Sequence, residues 1–326
     1  QSYARAELNQ PLFVLDGFEV TLERVMDLNP SDVESVTILK DASSTALYGS
    51  RGANGVVVIT STKPRQGKLR VSVSAGLNVE IPDLSSYNLL NAEEKLDLEV
   101  RAGLYNSAAR MELYRQNVRA IAEGVDTYWI GKPVRTGIGQ NYNLDFGGGD
   151  EQFRYTMNLS YNSVAGAMKG SYRNNFNGTL SISYLLKQFR FMNTFSLGLN
   201  NSEESPYGTF SDYVTLNPYW YPYDEEGRLV QFFSTFGSET NVVPQANPLW
   251  EASINKFDKT KYTNIRNTFR VEWDVVKGVK LSTNFGYTSQ TDRDDRFVPK
   301  SSNDFINTTD PDAAGSYTWG YREMHS

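Results

Sequence analysis

The sequence predicts a small α+β unit followed by a long antiparallel sheet of the membrane β-barrel class. Three observations point there. From Leu69 onward, apolar residues recur at every second position over stretches of roughly 9 to 13 residues, the length a tilted strand needs to cross a bilayer. The connections between these stretches alternate between tight and long, as they do at the two rims of an outer-membrane barrel. Ahead of them, residues 31–62 read as strand, short helix, tight turn and strand.

In chain order, Pro11–Gly17 (PLFVLDG) is a short apolar strand stopped by an Asp16-Gly17 turn, and Asn29-Pro30-Ser31-Asp32 is a second turn. Two apolar runs follow, Val33–Leu39 and Val56–Thr60. Between them a helix of one or two turns opens at Asp41, which can accept from the N–H of Ser43 or Ser44, and closes at Tyr48-Gly49, where glycine supplies the left-handed residue. Gly52-Ala53-Asn54-Gly55 then reverses the chain, because Asn-Gly tolerates positive φ. The polar, proline-broken stretch Lys63–Gly67 marks the boundary between a first domain, 1–66, and a second, 67–326.

In the second domain Leu69, Val71, Val73, Leu77 and Val79 alternate with mostly polar residues. The same period returns in Tyr142–Phe146, Phe153–Tyr161, Phe176–Leu186, Phe189–Leu199, Phe269–Val275 and Val279–Tyr287, about seven strands in all. Gly147-Gly148-Gly149-Asp150, Lys187-Gln188 and Lys277-Gly278 are read as tight turns. The opposite connections are long: 81–140, 164–175, 200–261 and 291–326. The first of these contains helix, since Asn91-Ala92-Glu93-Glu94 is a capping box and Tyr114, Val118, Ile121 and Ala122 fall at helical spacing.

The run LNPSDVESVTILKDASSTALYGSRGANGVVVITSTK, preceded by PLFVLDG, closely resembles the plug signature of the SusC/RagA branch of TonB-dependent outer-membrane transporters. The resemblance covers about 50 residues in register. Its signature positions here are Asp16, Gly17, Lys40, Asp41, Tyr48, Gly49, Arg51, Gly52, Asn54 and Gly55. It implies an α+β plug in the lumen of a barrel of 22 antiparallel strands. The chain then covers most of the plug (its C-terminal portion, 1–66) and about the first seven strands. By the same resemblance the protein lies in the outer membrane of a Gram-negative bacterium, with loops 81–140, 200–261 and 291–326 extracellular and the plug reached from the periplasm. It would import a large nutrient, an oligosaccharide or an oligopeptide, with a SusD-like lid lipoprotein and a TonB complex energised by proton-motive force. An arginine at Arg51 is expected to face acidic groups of the barrel wall. A receptor for a metal chelate or vitamin shares the architecture; a surface adhesin or soluble β enzyme is the alternative of a different class.

Composition bounds the chemistry. Of 326 residues 13% are aromatic, with 20 Tyr and 17 Phe, a content that suits strands and the aromatic girdles of membrane barrels. No run of about 18 apolar residues is present, so no transmembrane helix is expected, which leaves a barrel open. The net charge of −6 argues against nucleic acid as a partner. Zero cysteines exclude disulfides, thiolate metal sites and a Cys nucleophile within the chain, and one histidine, His325, leaves little room for His-based metal or acid–base chemistry; the resemblance implies no metal, cofactor or catalytic residue. The opening QSYARAELNQ shows no basic region leading into an apolar one, and the chain is therefore expected to begin after processing or further in.

Gly49, Gly52 and Gly55 resemble a phosphate loop, but no Gly-Lys-Ser/Thr follows. The pairs Glu93-Glu94, Glu203-Glu204 and Asp224-Glu225-Glu226 read as solvated loop faces. Tyr219, Trp220, Tyr221 and Tyr223, in the run NPYWYPY, are the candidate substrate or partner contacts, as a stacking platform.

Overall fold

The computed structural model describes residues 10–325 except 27, 42–45, 238–241, 307 and 311. Its first unit is a four-stranded sheet, order β2-β1-β4-β3, built from β1 (Leu12–Leu15), β2 (Phe18–Val20), β3 (Val33–Leu39) and β4 (Val56–Ser61). β1 runs parallel to β4, and the other two pairings are antiparallel. Val14, Leu15, Val56 and Ile59 form its buried core. Helix α1 (Leu22–Met26) and a 3-10 turn at Pro30–Asp32 join β2 to β3. Between β3 and β4 the chain makes a 3-10 segment, Ala46–Gly52, broken at Gly49 (φ 63°). The expected Asp41 cap on Ser43 or Ser44 lies outside the described residues.

The second unit is an eight-stranded antiparallel sheet. Its strands are β5 (Gly67–Glu80), β6 (Gly137–Gly149), β7 (Phe153–Ala165), β8 (Tyr172–Leu186), β9 (Phe189–Glu203), β12 (Phe257–Val276), β13 (Val279–Val298) and β14 (Ser316–His325), each hydrogen-bonded to the next. The strands run further than the apolar alternation, because polar residues at their ends continue the ladder. The β5–β6, β9–β12 and β13–β14 connections shorten accordingly to 81–136, 204–256 and 299–315. The expected long connection 164–175 shrinks to Gly166–Ser171. The eighth strand, β14, lies inside what the sequence reads as the terminal loop 291–326. Gly147–Gly149 are strand residues paired with Thr156, Tyr155 and Arg154, and Asp150 makes the turn by accepting from the N–H of Gln152 (2.8 Å) and Phe153 (2.7 Å). Glycine is needed there because a Cβ on Gly149 would stand 2.1 Å from the Phe153 carbonyl oxygen.

The large sheet is inverted relative to a water-soluble one. Val73, Leu77, Phe285 and Trp319 stand out on one face at 63% exposure or more, while Asn175, Asn177, Ser181, Asn264 and Gln290 are buried on the other. A soluble sandwich hides the first set and solvates the second. Only hydrocarbon outside and a polar filling inside suit this arrangement. The first unit supplies that filling, since it packs on the polar face.

The long connections fold together into an outer cluster. From 81–136 come α2 (Ala92–Arg101) and α3 (Ala108–Ala122). From 204–256 come α4 (Ser211–Val214), the hairpin of β10 (Phe232–Phe236) with β11 (Val242–Ala246), and α5 (Pro248–Ser253). The capping box forms as the sequence predicts: Glu94 N donates to Asn91 Oδ1 (2.9 Å), and Asn91 N donates to Glu94 Oε2 (3.1 Å). The buried face of α3 carries Leu113 and Asn117, one step round from the expected stripe, and leaves Val118 exposed. Trp129, Ile130, Tyr213, Leu216, Trp220 and Phe233 are central to the core of the cluster.

Candidate functional site

The chemistry of the chain is concentrated where the first unit meets the wall. Asp16 and Gly17 turn β1 into β2 with positive φ (51° and 90°). Asp16 then accepts from Ser61 N (2.9 Å) and Ser61 Oγ (2.7 Å), which clamps the end of β1 to the end of β4. Gly55 sits at φ 94°, where a Cβ would lie 3.3 Å from the Leu39 carbonyl oxygen, and its N–H bonds Gly52 O (2.9 Å). Lys40 and Asp41 are exposed, as is Asn54, while Tyr48 is half-buried. These signature residues shape the unit rather than face a ligand together.

Arg51 pairs with Glu19 of the same unit, and both side chains are more than half exposed. An ion pair so open to water contributes only about 0–1 kcal/mol. Across a cavity of about 810 Å³ the nearby wall presents Arg322, a cation held by Asp292 (2.8 Å).

Residues that the sequence marks, at most, as part of a turn make the seat. Arg24 of α1 is buried and donates through Nη1 to Asn177 Oδ1 of β8 (2.7 Å). Asn29 Nδ2 donates to Asn143 Oδ1 of β6 (2.9 Å). Asn158 Nδ2 of β7 donates to Asp32. From β12, buried Arg266 donates to the Leu15 carbonyl oxygen and lays its guanidinium over the Phe18 ring, 5.2 Å from the centroid. The wall also comes close at Gly286, where a Cβ would stand 2.3 Å from that ring. Burial pushes the Asp32 carboxyl above its usual range; the Asn158 amide pulls it back, and repulsion from Asp145 adds to the rise. The only sequence signal for these residues is parity: each wall member lies on the non-apolar register of its strand.

The outer cluster turns on another residue hidden from sequence. Glu99, buried on α2, accepts from Tyr219 Oη at both oxygens (3.0 and 2.9 Å) and from Tyr105 Oη (2.7 Å), with Lys95 at 3.3 Å. Burial first, and then the neighbouring carboxylate, push both tyrosine hydroxyls well above their ordinary value. The four expected aromatic contacts are therefore divided. Tyr219 is held by Glu99, and Trp220 stacks on Phe233 (5.1 Å, 8° between planes), so both belong to the cluster's core. Tyr221 and Tyr223 remain outside, edge to face at 5.6 Å and 55% and 39% exposed.

Comparison with known proteins agrees with this architecture. Residues 3–56 match the model of the TonB-dependent receptor plug domain. The chain is similar to the TonB-dependent receptor P39 of Formosa agariphila, 27% identical over 307 residues, which cover 90% of this chain and 27% of that protein. It is also similar to the TonB-dependent receptor SusC of Bacteroides thetaiotaomicron, 30% identical over 183 residues, 54% of this chain and 17% of that one. Among solved structures, the RagAB peptide importer in its closed-closed state superposes with a TM-score of 0.70 at 22% identity, covering 90% of this chain and 36% of the other. The RagAB peptide transporter gives 0.71 at 20% identity, covering 97% and 38%. The chain thus spans about a quarter of the receptors it matches, or less. With a plug-like unit seated on the polar face of an inverted sheet, the chain is similar in sequence and fold to the plug and part of the barrel of SusC/RagA-type TonB-dependent transporters.

Proposed function

We propose that the protein carrying this chain imports a large nutrient, an oligosaccharide or an oligopeptide, across the outer membrane in a TonB-dependent manner, and performs no catalysis itself. Residues 1–66 act as the plug and 67–326 as barrel wall with the long connections on the extracellular side. A SusD-like lipoprotein covers that side. The TonB complex draws on the plug from the periplasm. Exposed Tyr221 and Tyr223 are the aromatic groups left to meet substrate or lid.

One observation carries the reading: the plug is fastened to the wall by a handful of hydrogen bonds to wall amides, with Asn143 and Asn177 accepting from the plug and Asn158 donating to it. Such a seat holds the lumen shut at rest and can be broken stepwise by force, since each bond contributes only about 0.5–1.5 kcal/mol net between neutral groups and about 1.5–3 kcal/mol where one partner is charged. Kinship with receptors named for TonB, and likeness to a peptide importer, support the transport class.

The test is uptake in the native host. Deleting the gene is expected to abolish accumulation of one class of labelled oligomer, and collapsing the proton-motive force in the intact strain should do the same. Accumulation that survives both treatments removes the reading.

A further inference from the structure

On the apolar face of the wall, the hydrophobic series gives way to a cluster of charge. Strand β12 turns Trp273, Phe269 and Ile265 outward, and the same register continues into Lys261 and Lys259. Strand β13 carries Leu281 and Phe285 outward and reaches Arg293 on that register. Among the described wall strands these three are the lysines and arginines that face outward, and all lie toward the rim of the long connections. From Trp273 to Lys261 the strand runs about 40 Å at roughly 3.3 Å per residue, which a tilt near ~40° reduces to about 30 Å across the bilayer. The outward apolar band of such a wall is about 25 Å tall. With Trp273 at one interface, Lys261 therefore stands at the head-group level of the other.

The pairing there is unfavourable by itself. Lys261 lies directly across the ladder from Arg293, and like charges so placed repel. Its neighbour on the other side is the neutral Asn201. Arg293 gives its Nε to Asp295 (3.1 Å) and Lys259 reaches Glu203 at 3.9 Å, but among the described residues no carboxylate lies within ion-pair distance of Lys261. Glu323, one rung nearer the apolar band, is engaged by His325 Nε2 (3.1 Å) and Tyr321 Oη (3.2 Å). The rung of Lys261 and Arg293 ends at Tyr321, beside Trp319, and both rings are exposed, with the apolar bodies and polar tips that suit an interface. A phosphate set between the two cations turns their repulsion into attraction and accepts from both. On this face such an anion comes attached to acyl chains, because Ile265, Leu199 and Phe285 stand exposed on the same register.

We propose that Lys261 and Arg293 clamp the phosphate of an outer-leaflet glycolipid of the lipid A type, whose acyl chains lie over Ile265 and Leu199. The choice of leaflet rests on the orientation in the import reading; the clamp does not depend on what is carried.

The test is native mass spectrometry of the full-length protein in detergent. The probes are lipid A with its phosphates, the same lipid dephosphorylated, and phosphatidylglycerol. Phosphorylated lipid A is expected to be retained best. Lys261→Gln and Arg293→Gln should each weaken its binding about fivefold, the share of one cation at an anionic surface, and the double change ~25-fold. Lys261→Arg keeps the charge and should keep the lipid. Arg296→Gln removes an exposed cation of the same strand on the inward register and should change nothing, which separates a clamp from general charge. Equal retention of the dephosphorylated lipid, native binding in the double variant, or an equal loss in Arg296→Gln overturns the proposal. Better retention of phosphatidylglycerol overturns its assignment to the outer leaflet. Uptake that persists without proton-motive force defeats the import reading alone and leaves the lipid result standing.

Discussion

At Gly286 the wall and the plug touch with no room between them. The residue lies in an extended strand, so alanine suits its backbone, and only the Phe18 ring, 2.3 Å from the added Cβ, opposes it. Gly286→Ala should loosen the plug at a cost of about 1–3 kcal/mol, the usual penalty of overpacking. The expected outcome is faster hydrogen exchange in β1 and β2, reversed by adding Phe18→Ala. Asp32 gives the pH dependence. Its docked carboxyl has a raised pKa, so the ionised form is the one the docked state disfavours. Docking is then strongest below the ordinary value of 3.8 and weakens as pH rises through the raised one. The hydrogen-exchange protection factors of β3, with the intrinsic pH dependence divided out, should fall between acidic and neutral pH, and Asp32→Asn should flatten that profile. Neither role is legible in the sequence, because Asp32 reads only as part of a turn and a glycine within a strand does not reveal which ring it faces.

Individual strands were the legible part. A side-chain period of two survives in the sequence of any strand with one apolar face, and it located seven of the eight wall strands. β14 was missed because its out-facing residues, Tyr317, Trp319 and Tyr321, are all aromatic and follow a polar, turn-rich connection. The outer cluster was largely illegible, since its core joins short pieces distant in sequence that share no period. Adjacent Trp220 and Tyr221 face opposite environments. Glu99 is the test at this scale. Glu99→Ala removes the acceptor of the buried Tyr219 hydroxyl and of the half-buried Tyr105 hydroxyl and should destabilise the cluster by about 2–3 kcal/mol. Limited proteolysis within 81–136 and 204–256 together, with the strands protected, checks it. A smaller pairing lies on the apolar face, where Asn193 and Asn267 bond one another (2.9 Å) on the register of Phe269. Asn267→Leu should strand the Asn193 amide in hydrocarbon and destabilise the wall, while the double change to leucine restores it.

For the molecule as a whole, the inverted sheet makes a prediction about solvent. The chain has no cysteine of its own, so single cysteines can be placed at will. Introduced at Leu77 or Phe285, a fluorescent label should be quenched by nitroxide-bearing lipids. At Ser74 or Asn284, on the opposite register, it should be quenched only from water. Equal quenching on both registers would mean that the sheet does not border lipid.

The plug's seat carries a further consequence. The contacts described between plug and wall put a carboxamide or a peptide carbonyl on at least one side of every bond: Arg24 with Asn177, Asn29 with Asn143, Asp32 with Asn158, Arg266 with Leu15. Mobile ions screen attraction between opposite charges and leave such dipolar fastenings nearly untouched. The stopper should therefore stay corked in brine as firmly as in fresh water, and give way to a tug rather than to a change of tide.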